Sequence, residues 1–267
     1  MKKESIRKEF DFFFAEGLCK SFGGVQAVTD FSLELASREI VGLIGPNGAG
    51  KTTVFNLITG LDQPDAGELY FRRAYITREP AHRIARLGIA RTFQNIRLLG
   101  HLSTLDNIRV AYHSHIRYNL FHAALRLPRY HRVEQDITDK SMQFLKLFHL
   151  ERDVHTLAGA LPYGKRRRLE LARALATGAS LLLLDEPGAG LNPAETVELT
   201  HLIRRLRDEF AVTILLIEHD MKMVMSLCER LVVLNFGRII ATGTPAELRT
   251  NEAVLAAYLG QPRTPPC

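Results

Sequence analysis

The sequence has no apolar run approaching the ~18 residues that suggest a membrane span. Nor does the charged start Met1-Lys2-Lys3-Glu4 lead into a signal-peptide core, because Phe12-Phe13-Phe14 is too short for one. Cysteine is scarce: Cys19, Cys228 and Cys267 form an odd, scattered set without C-x-x-C, which reads as a protein of a reducing cytosol. Internal repeats and heptad arrays are missing as well. The excess of one charge is modest, 35 basic against 29 acidic side chains for a net +6 and a pI near 9.3. Such a balance fits a nucleic-acid partner, an anionic membrane surface or an ordinary basic exterior, and ordinary surface charge is the simplest of the three. What remains is the composition of a soluble globular protein, 46% hydrophobic and 24% charged over 267 residues, enough for one large domain or two intertwined ones.

The most informative stretch is Gly45-Pro46-Asn47-Gly48-Ala49-Gly50-Lys51-Thr52, which matches the phosphate-wrapping loop G-x-x-x-x-G-K-[ST]. Glycines allow a tight turn in which successive N–H groups face one anion. Lys51 supplies a point charge between the outer phosphates, and the Thr52 hydroxyl can ligate Mg²⁺. The flanks agree: Glu39 to Ile44 reads as a buried strand, Thr53 to Ile58 opens a helix whose N-terminus favours anions, and Gly60 is placed to end it.

Around this loop the chain reads as follows. Residues 11–35 are β-rich, with a turn at Gly23-Gly24 preceded by Phe22, either a strand-end core aromatic or a platform for an adenine base. Glu68 to Phe71 is a further strand. Pro80 starts a short helix that Gly88 stops, and Ile89 to Gln94 reads as a strand whose last residue could reach a metal ion or water. Residues 103–160 turn helical behind a capping box at Ser103 to Asp106, broken at Leu127-Pro128 and resumed from Asp136 to Leu150. Arg126, Arg129, His131 and Arg132 surround Tyr130 in a small basic-aromatic patch, read first as a solvated face. This region looks like a helical subdomain inserted into an α/β core. Lys165 to Leu175 is a strong helix; Gly164 lets a phosphate approach its N-terminus, and its three arginines read as a solvated face. Leu181 to Leu184 is unbroken apolar, as a central parallel strand buried on both faces should be, and it ends in Asp185-Glu186. That strand end is where ligands bind in open α/β sheets, so the two acids can divide the work: Asp185 toward Mg²⁺, Glu186 as base for a water. Asn192-Pro193 opens another helix, with Leu199, Leu202, Ile203, Leu206 and Phe210 on its buried face. Val212 to Ile217 is a second core strand leading to Glu218-His219-Asp220. Leu231 to Asn235 and Arg238 to Ala241 form a hairpin, Thr244 to Glu247 is a capping box, and the proline-rich tail from Gln261 reads as a flexible end.

Taken in that order, these residues resemble the nucleotide-binding subunit of ABC transporters, over essentially the whole chain after about residue 12. The loop matches the family's Walker A, Leu181 to Glu186 its Walker B, Gln94 its Q-loop, Gly190-Leu191-Asn192 its D-loop and His219 its switch histidine. The stretches Arg83 to Gln94, Tyr163 to Arg167, Glu218 to Met221 and Ala257-Tyr258-Leu259-Gly260 are similar to the LivG type, the ATPase of high-affinity branched-chain amino acid importers. Relatives of that type also act in urea import and in lipopolysaccharide export, so solute and direction stay open.

The resemblance implies an α/β P-loop NTPase with a RecA-like core of ABC type, an N-terminal antiparallel β subdomain and an inserted α-helical subdomain. One domain would run over 12–260: 12–95 for the β subdomain and P-loop half, 96–177 for the helical subdomain, 178–242 for the rest of the core and 243–260 for the C-terminal helix, with flexible ends at 1–11 and 261–267. ATP would be held by Phe22, Gly45, Pro46, Asn47, Gly48, Ala49, Gly50, Lys51, Thr52 and Thr53, and by the signature residues Tyr163, Gly164 and Lys165 acting from the opposite protomer. Mg²⁺ would fall to Thr52, Gln94 and Asp185, and hydrolysis to Glu186, His219 and Gln94. The implied partners are a second ATPase subunit, identical or not, arranged head-to-tail, integral membrane permease subunits and, through them, a periplasmic-type binding protein. No nucleic acid is expected, and the implied location is the cytoplasmic face of the membrane. One departure stands out. The family signature is Leu-Ser-Gly-Gly-Gln, and Pro162 at its second place offers neither the hydroxyl nor an N–H, which leaves Gly164 and the helix dipole to meet the γ-phosphate and implies slower hydrolysis or a better signature in the paired subunit.

Overall fold

The structure is a computed structural model that describes residues 12–112 and 128–259. Two sheets carry it. Strands β1 (Phe13–Phe22), β2 (Val25–Leu35), β4 (Ala66–Phe71) and β5 (Ala74–Tyr75) form an antiparallel four-stranded sheet in the order β2-β1-β4-β5. The turn between β1 and β2 sits on Gly23 and Gly24, both at positive φ. The second sheet has six strands in the order β10-β9-β3-β8-β7-β6. Here β3 (Ile40–Ile44), β6 (Ile89–Arg91), β7 (Leu181–Asp185), β8 (Thr213–Ile217) and β9 (Arg230–Asn235) run parallel, and β10 (Arg238–Gly243) returns antiparallel to β9.

The apolar runs of β3, β7 and β8 have a physical reason. Along each strand side chains alternate between faces, and in this sheet both faces are covered. Leu182, Leu184, Ile214 and Leu216 enter one core. Their neighbours Leu181, Leu183, Leu215 and Ile217 enter the other, which also takes Phe13, Phe31 and Phe71 from the antiparallel sheet. The first core is closed by α5 (Tyr163–Ala176), α6 (Pro193–Phe210) and α7 (Met221–Leu227), and the second by α1 (Lys51–Ile58).

The helical region comprises α3 (Thr104–Tyr112) and α4 (Pro128–Leu147), and both pack on α5. At the start of α3 the Ser103 hydroxyl accepts from the Asp106 amide at 3.0 Å, as the capping pattern predicts. The helix expected from Asp136 is already formed at Pro128, the first residue described after Tyr112. It ends at Leu147, ahead of His149 at φ 57. Within the basic-aromatic patch Tyr130 and His131 meet edge-on at 5.4 Å, and Arg126 lies outside the described residues. Two further expectations are corrected. The strand expected to reach Gln94 ends at Arg91, so Gln94 stands on an irregular segment. Phe210 is not on the buried face of α6: it is 40% exposed and stacks on Phe144. Of the two readings left open for Phe22, the core aromatic is the one that does not hold, because the ring is 46% exposed at the tip of β1. The caps at α6 and α8 (Pro245–Leu248) are full capping boxes, Asn192 with Glu195 and Thr244 with Glu247. Helix α2 (Ala81–Leu87) stops at Gly88, whose φ is 106, and the last helix, α9 (Glu252–Leu259), follows α8.

Candidate active site

Parallel pairing places the candidate residues in one row. Leu43 of β3 is in register with Ile217 of β8, and Ile217 with Asp185 of β7. The segments that follow these residues therefore leave the sheet at one level: the loop from Gly45, the Asp185-Glu186 pair and Glu218-His219. Residues distant in sequence meet because their strands end together.

The loop from Gly45 to Gly50 is moulded against backbone. A Cβ on Gly45 would lie 2.0 Å from the Leu234 carbonyl oxygen, and one on Gly50 would lie 2.4 Å from that of Ala27. Both residues also have positive φ, 152° and 102°. No other residue fits either place. The helix then begins at Lys51 itself, two residues earlier than the expected Thr53. Lys51 is buried and folds back over the loop, its Nζ donating to the carbonyls of Gly45 at 2.7 Å and Pro46 at 2.9 Å. Burial pulls the Lys51 ammonium below the ordinary lysine range, while the charges of Glu186 and Asp185 act the other way. Thr52 is exposed on the first turn and Thr53 half-buried beside it.

At the end of β7 the two carboxylates make separate contacts. Asp185 is buried and its Oδ2 accepts from Arg91 at 2.7 Å. Arg91 also donates to Asn56 Oδ1 at 2.6 Å, and its guanidinium lies over the rings of Phe55, at 5.3 Å, and Phe93, at 4.9 Å. Glu186 leaves the strand with φ at 48°, which turns its side chain out of the sheet. Gln94 Nε2 donates to Glu186 Oε2 at 2.9 Å, and His219 Nε2 lies 2.7 Å from Glu186 Oε1. An ionised carboxylate only accepts, so the His219 contact requires a proton on Nε2. The three residues assigned to hydrolysis thus touch one another through a single carboxylate.

Glu218, next to the histidine, is buried and accepts from the amides of Gly188 at 2.6 Å, His219 at 3.0 Å and Asp220 at 3.4 Å. Burial raises its pKa above the usual carboxylate range; the three amides oppose that rise and the Glu186 charge adds to it. A raised folded-state value means that the folded chain holds this proton more tightly than the unfolded chain. Stability is therefore expected to decline as pH climbs from the ordinary carboxylate range through the raised value. Glu218→Gln, which cannot ionise, should flatten that part of a plot of thermal midpoint against pH; an unchanged slope would assign it to other groups.

The signature residues stand at the N-terminus of α5. Pro162 occupies the cap position with φ at −55°. The Tyr163 hydroxyl donates to the Ala189 carbonyl at 3.0 Å, and Lys165 Nζ pairs with Asp153 at 2.8 Å. Gly164 is crowded by the capping carboxylate of Glu195, 2.7 Å from where its Cβ would stand. Phe22 is exposed at the tip of β1, with Lys20 Nζ 5.3 Å from its ring centre. Four residues of the site escaped sequence reasoning: Arg91, Arg167, Glu170 and Glu218. The first three are charged groups buried in ion pairs, and Glu218 is buried on backbone amides.

A glycine-moulded loop at a strand–helix junction, with a buried aspartate and a hydrogen-bonded glutamate on a nearby strand end, defines a nucleoside-triphosphate hydrolase of the P-loop class. Comparison with known proteins narrows this. The family described as "ABC transporter" matches residues 28–189, and the one described as "Branched-chain amino acid ATP-binding cassette transporter" matches residues 238–263. The high-affinity branched-chain amino acid transport ATP-binding protein LivG of Salmonella typhimurium is 46% identical over 92% of this chain and 96% of its own length. The lipopolysaccharide export system ATP-binding protein LptB of Escherichia coli is 36% identical over 92% and 96%. The solved nucleotide-free ATP-binding cassette from an ABC transporter superposes with a TM-score of 0.81 at 28% identity, covering 94% of this chain and 99% of that one. The chain belongs to the ABC transporter family, as an ATP-binding subunit that hydrolyses ATP. The resemblance read from the motifs holds, including its LivG type.

Proposed function

We propose that this chain is the ATPase of a branched-chain amino acid importer, working as one domain over 12–260 in a head-to-tail pair on the cytoplasmic face of integral membrane subunits. The observation that carries the catalytic part is the Glu186 carboxylate clamped by Gln94 and His219. Both of its oxygens have a fixed partner, so its remaining lone pairs are aimed before a water arrives, and aim is most of what phosphoryl transfer asks of a protein. In this reading Glu186 takes the proton of the attacking water, His219 steadies the γ-phosphate and Gln94 orients both. Lys51 and the N–H groups of the 45–53 stretch, Pro46 having none, hold the phosphates, and Phe22 stacks on the adenine. Tyr163, Gly164 and Lys165 meet the nucleotide of the facing subunit.

The donor set suits Mg²⁺. Asp185 spends Oδ2 on Arg91 and keeps Oδ1, the Gln94 amide spends its nitrogen on Glu186 and keeps its oxygen, and the Thr52 hydroxyl is exposed. These are hard oxygen donors of the kind Mg²⁺ takes. When bound there, Mg²⁺ would neutralise charge on the outer phosphates.

The solute is supported by the family match over 238–263 and by the higher identity to LivG than to LptB. Among the described residues no helix is long and apolar enough to cross a membrane, so a transport path would lie in partner chains. The test is to purify the chain with its membrane subunits in lipid and add a periplasmic-type binding protein loaded with leucine, isoleucine or valine. Hydrolysis should rise with these solutes. Co-purification with lipopolysaccharide-transport components, or stimulation by urea instead, would overturn the assignment. Pro162→Ser adds a hydroxyl and an N–H where the family signature has both. Turnover is expected to rise up to about tenfold, the equivalent of one ~1.5 kcal/mol hydrogen bond to a charged group. An unchanged rate in the assembled complex would show that this place does not reach the phosphate.

A further inference from the structure

The three consecutive arginines after Lys165 divide in the fold. Arg166 and Arg168 are partly exposed, and Arg168 pairs with Glu198. Arg167 is completely buried, with its side chain 1% accessible. It is spent largely on main-chain oxygens. Nη1 donates to the Phe93 carbonyl at 2.8 Å and to Glu170 Oε2 at 2.9 Å; Nη2 donates to the Glu186 carbonyl at 2.8 Å and the Gln94 carbonyl at 3.4 Å. All four Nη protons have acceptors, while the buried Nε has none. Glu170, also buried, uses its other oxygen to accept from the Arg97 amide at 3.2 Å.

Burying a charge carries a desolvation penalty that pairing repays only when the geometry is good, so the placement of these contacts is informative. The two carbonyls on Nη2 belong to Gln94 and Glu186, the two residues whose side chains meet at 2.9 Å. Glu186 adopts φ 48°, an uncommon conformation for a residue with a side chain, and such a conformation persists only where the surroundings fix it. Its amide is held by the Ile217 carbonyl at 2.9 Å, and its own carbonyl is held by Arg167. A lysine could not replace the fork, since one ammonium cannot reach three carbonyls in different directions and the Glu170 carboxylate together.

We propose that Arg167 is a positioning residue for hydrolysis in its own subunit, holding the main chain of Gln94 and Glu186 so that their side chains meet. The helix whose N-terminus faces outward with Gly164 would then serve the chain's own reaction through its second turn. This inference rests on the role given to Glu186 above.

The test uses the subunit purified in complex with its membrane subunits, measuring turnover, the KM for ATP and the ATP retained through gel filtration. Glu186→Gln is the reference. Arg167→Gln should lower turnover roughly 10²-fold, the cost of a displaced reacting group. Its KM should stay within about threefold and its retained ATP should match that of the reference, because the nucleotide pocket is untouched. Arg167→Lys, which keeps one or two contacts, should recover turnover to within about tenfold of the parent. Arg167→Gln leaves Glu170 unpaired and could cost folding, so Arg167→Gln/Glu170→Gln, which removes both charges, is measured alongside and should show the same split. Parental turnover in the double variant would overturn the inference. So would loss of turnover together with loss of ATP retention, which would mean that Arg167 only builds the pocket or the facing surface. Normal turnover in Glu186→Gln itself would instead remove the reading of Glu186, a result separable from either.

Discussion

Glu186→Gln is expected to cut turnover by roughly 10²–10⁴-fold while leaving ATP binding intact, the usual size of a general-base contribution. The substitution keeps shape and removes only the capacity to take a proton. Its carboxamide can still bridge Gln94 and His219, because the Gln94 amide can turn over and the imidazole can change tautomer. The loop from Gly45 to Lys51 is held by Leu234 and Ala27 rather than by Glu186, so the nucleotide pocket has no reason to change. Binding measured with a fluorescent ATP analogue should be within a few-fold of the parent. Turnover that is also within a few-fold would remove Glu186 from the role of base.

Arg91→Met is expected to destabilise the folded chain by roughly 3–5 kcal/mol, the cost of leaving a buried charge without its partner. Both members of the Arg91–Asp185 pair are nearly inaccessible, with side chains 5% and 8% exposed, so water cannot take over from the guanidinium. In a domain of this size that corresponds to a fall in thermal midpoint of roughly 10 °C. Arg91→Met/Asp185→Asn removes both charges and should restore most of the midpoint while remaining unable to hydrolyse ATP. A loss below about 1 kcal/mol in the single variant would class the pair with solvated ones.

Where hydrophobic pattern and turn chemistry act locally, the sequence made the architecture readable. The phosphate loop between strand and helix, the doubly buried run 181–184, the caps at Asn192 and Thr244 and the hairpin through Phe236-Gly237 all follow from a few neighbouring residues. Boundaries moved as well: Pro128 reads as a break, yet the chain is helical from Pro128 onward. Burial of charge was the main thing missed. Three arginines in a row read as a solvated face because arginine is rarely buried without a partner. A signal was present, since Arg167, Glu170, Leu171 and Ala174 recur at helical spacing on one buried stripe of α5. Arg91 carried no such signal, because its partners, Asn56 and Asp185, lie on other elements and are supplied only by tertiary structure.

The register that aligns β3, β8 and β7 also bears on how the protein is made. Strand β3 emerges from the ribosome well over a hundred residues before either of its neighbours: Ile40 pairs with Ile214, and Val41 with Arg230. Such long closures are slow, and until they occur the apolar faces and free edges of β3 have nothing to cover them. The phosphate loop is likewise pressed against Leu234, so a nascent chain lacking β9 carries the complete motif without its mould. Nucleotide binding should therefore appear only once β9 has been made, and ribosome-bound chains truncated before residue 230 should depend on chaperones to stay soluble.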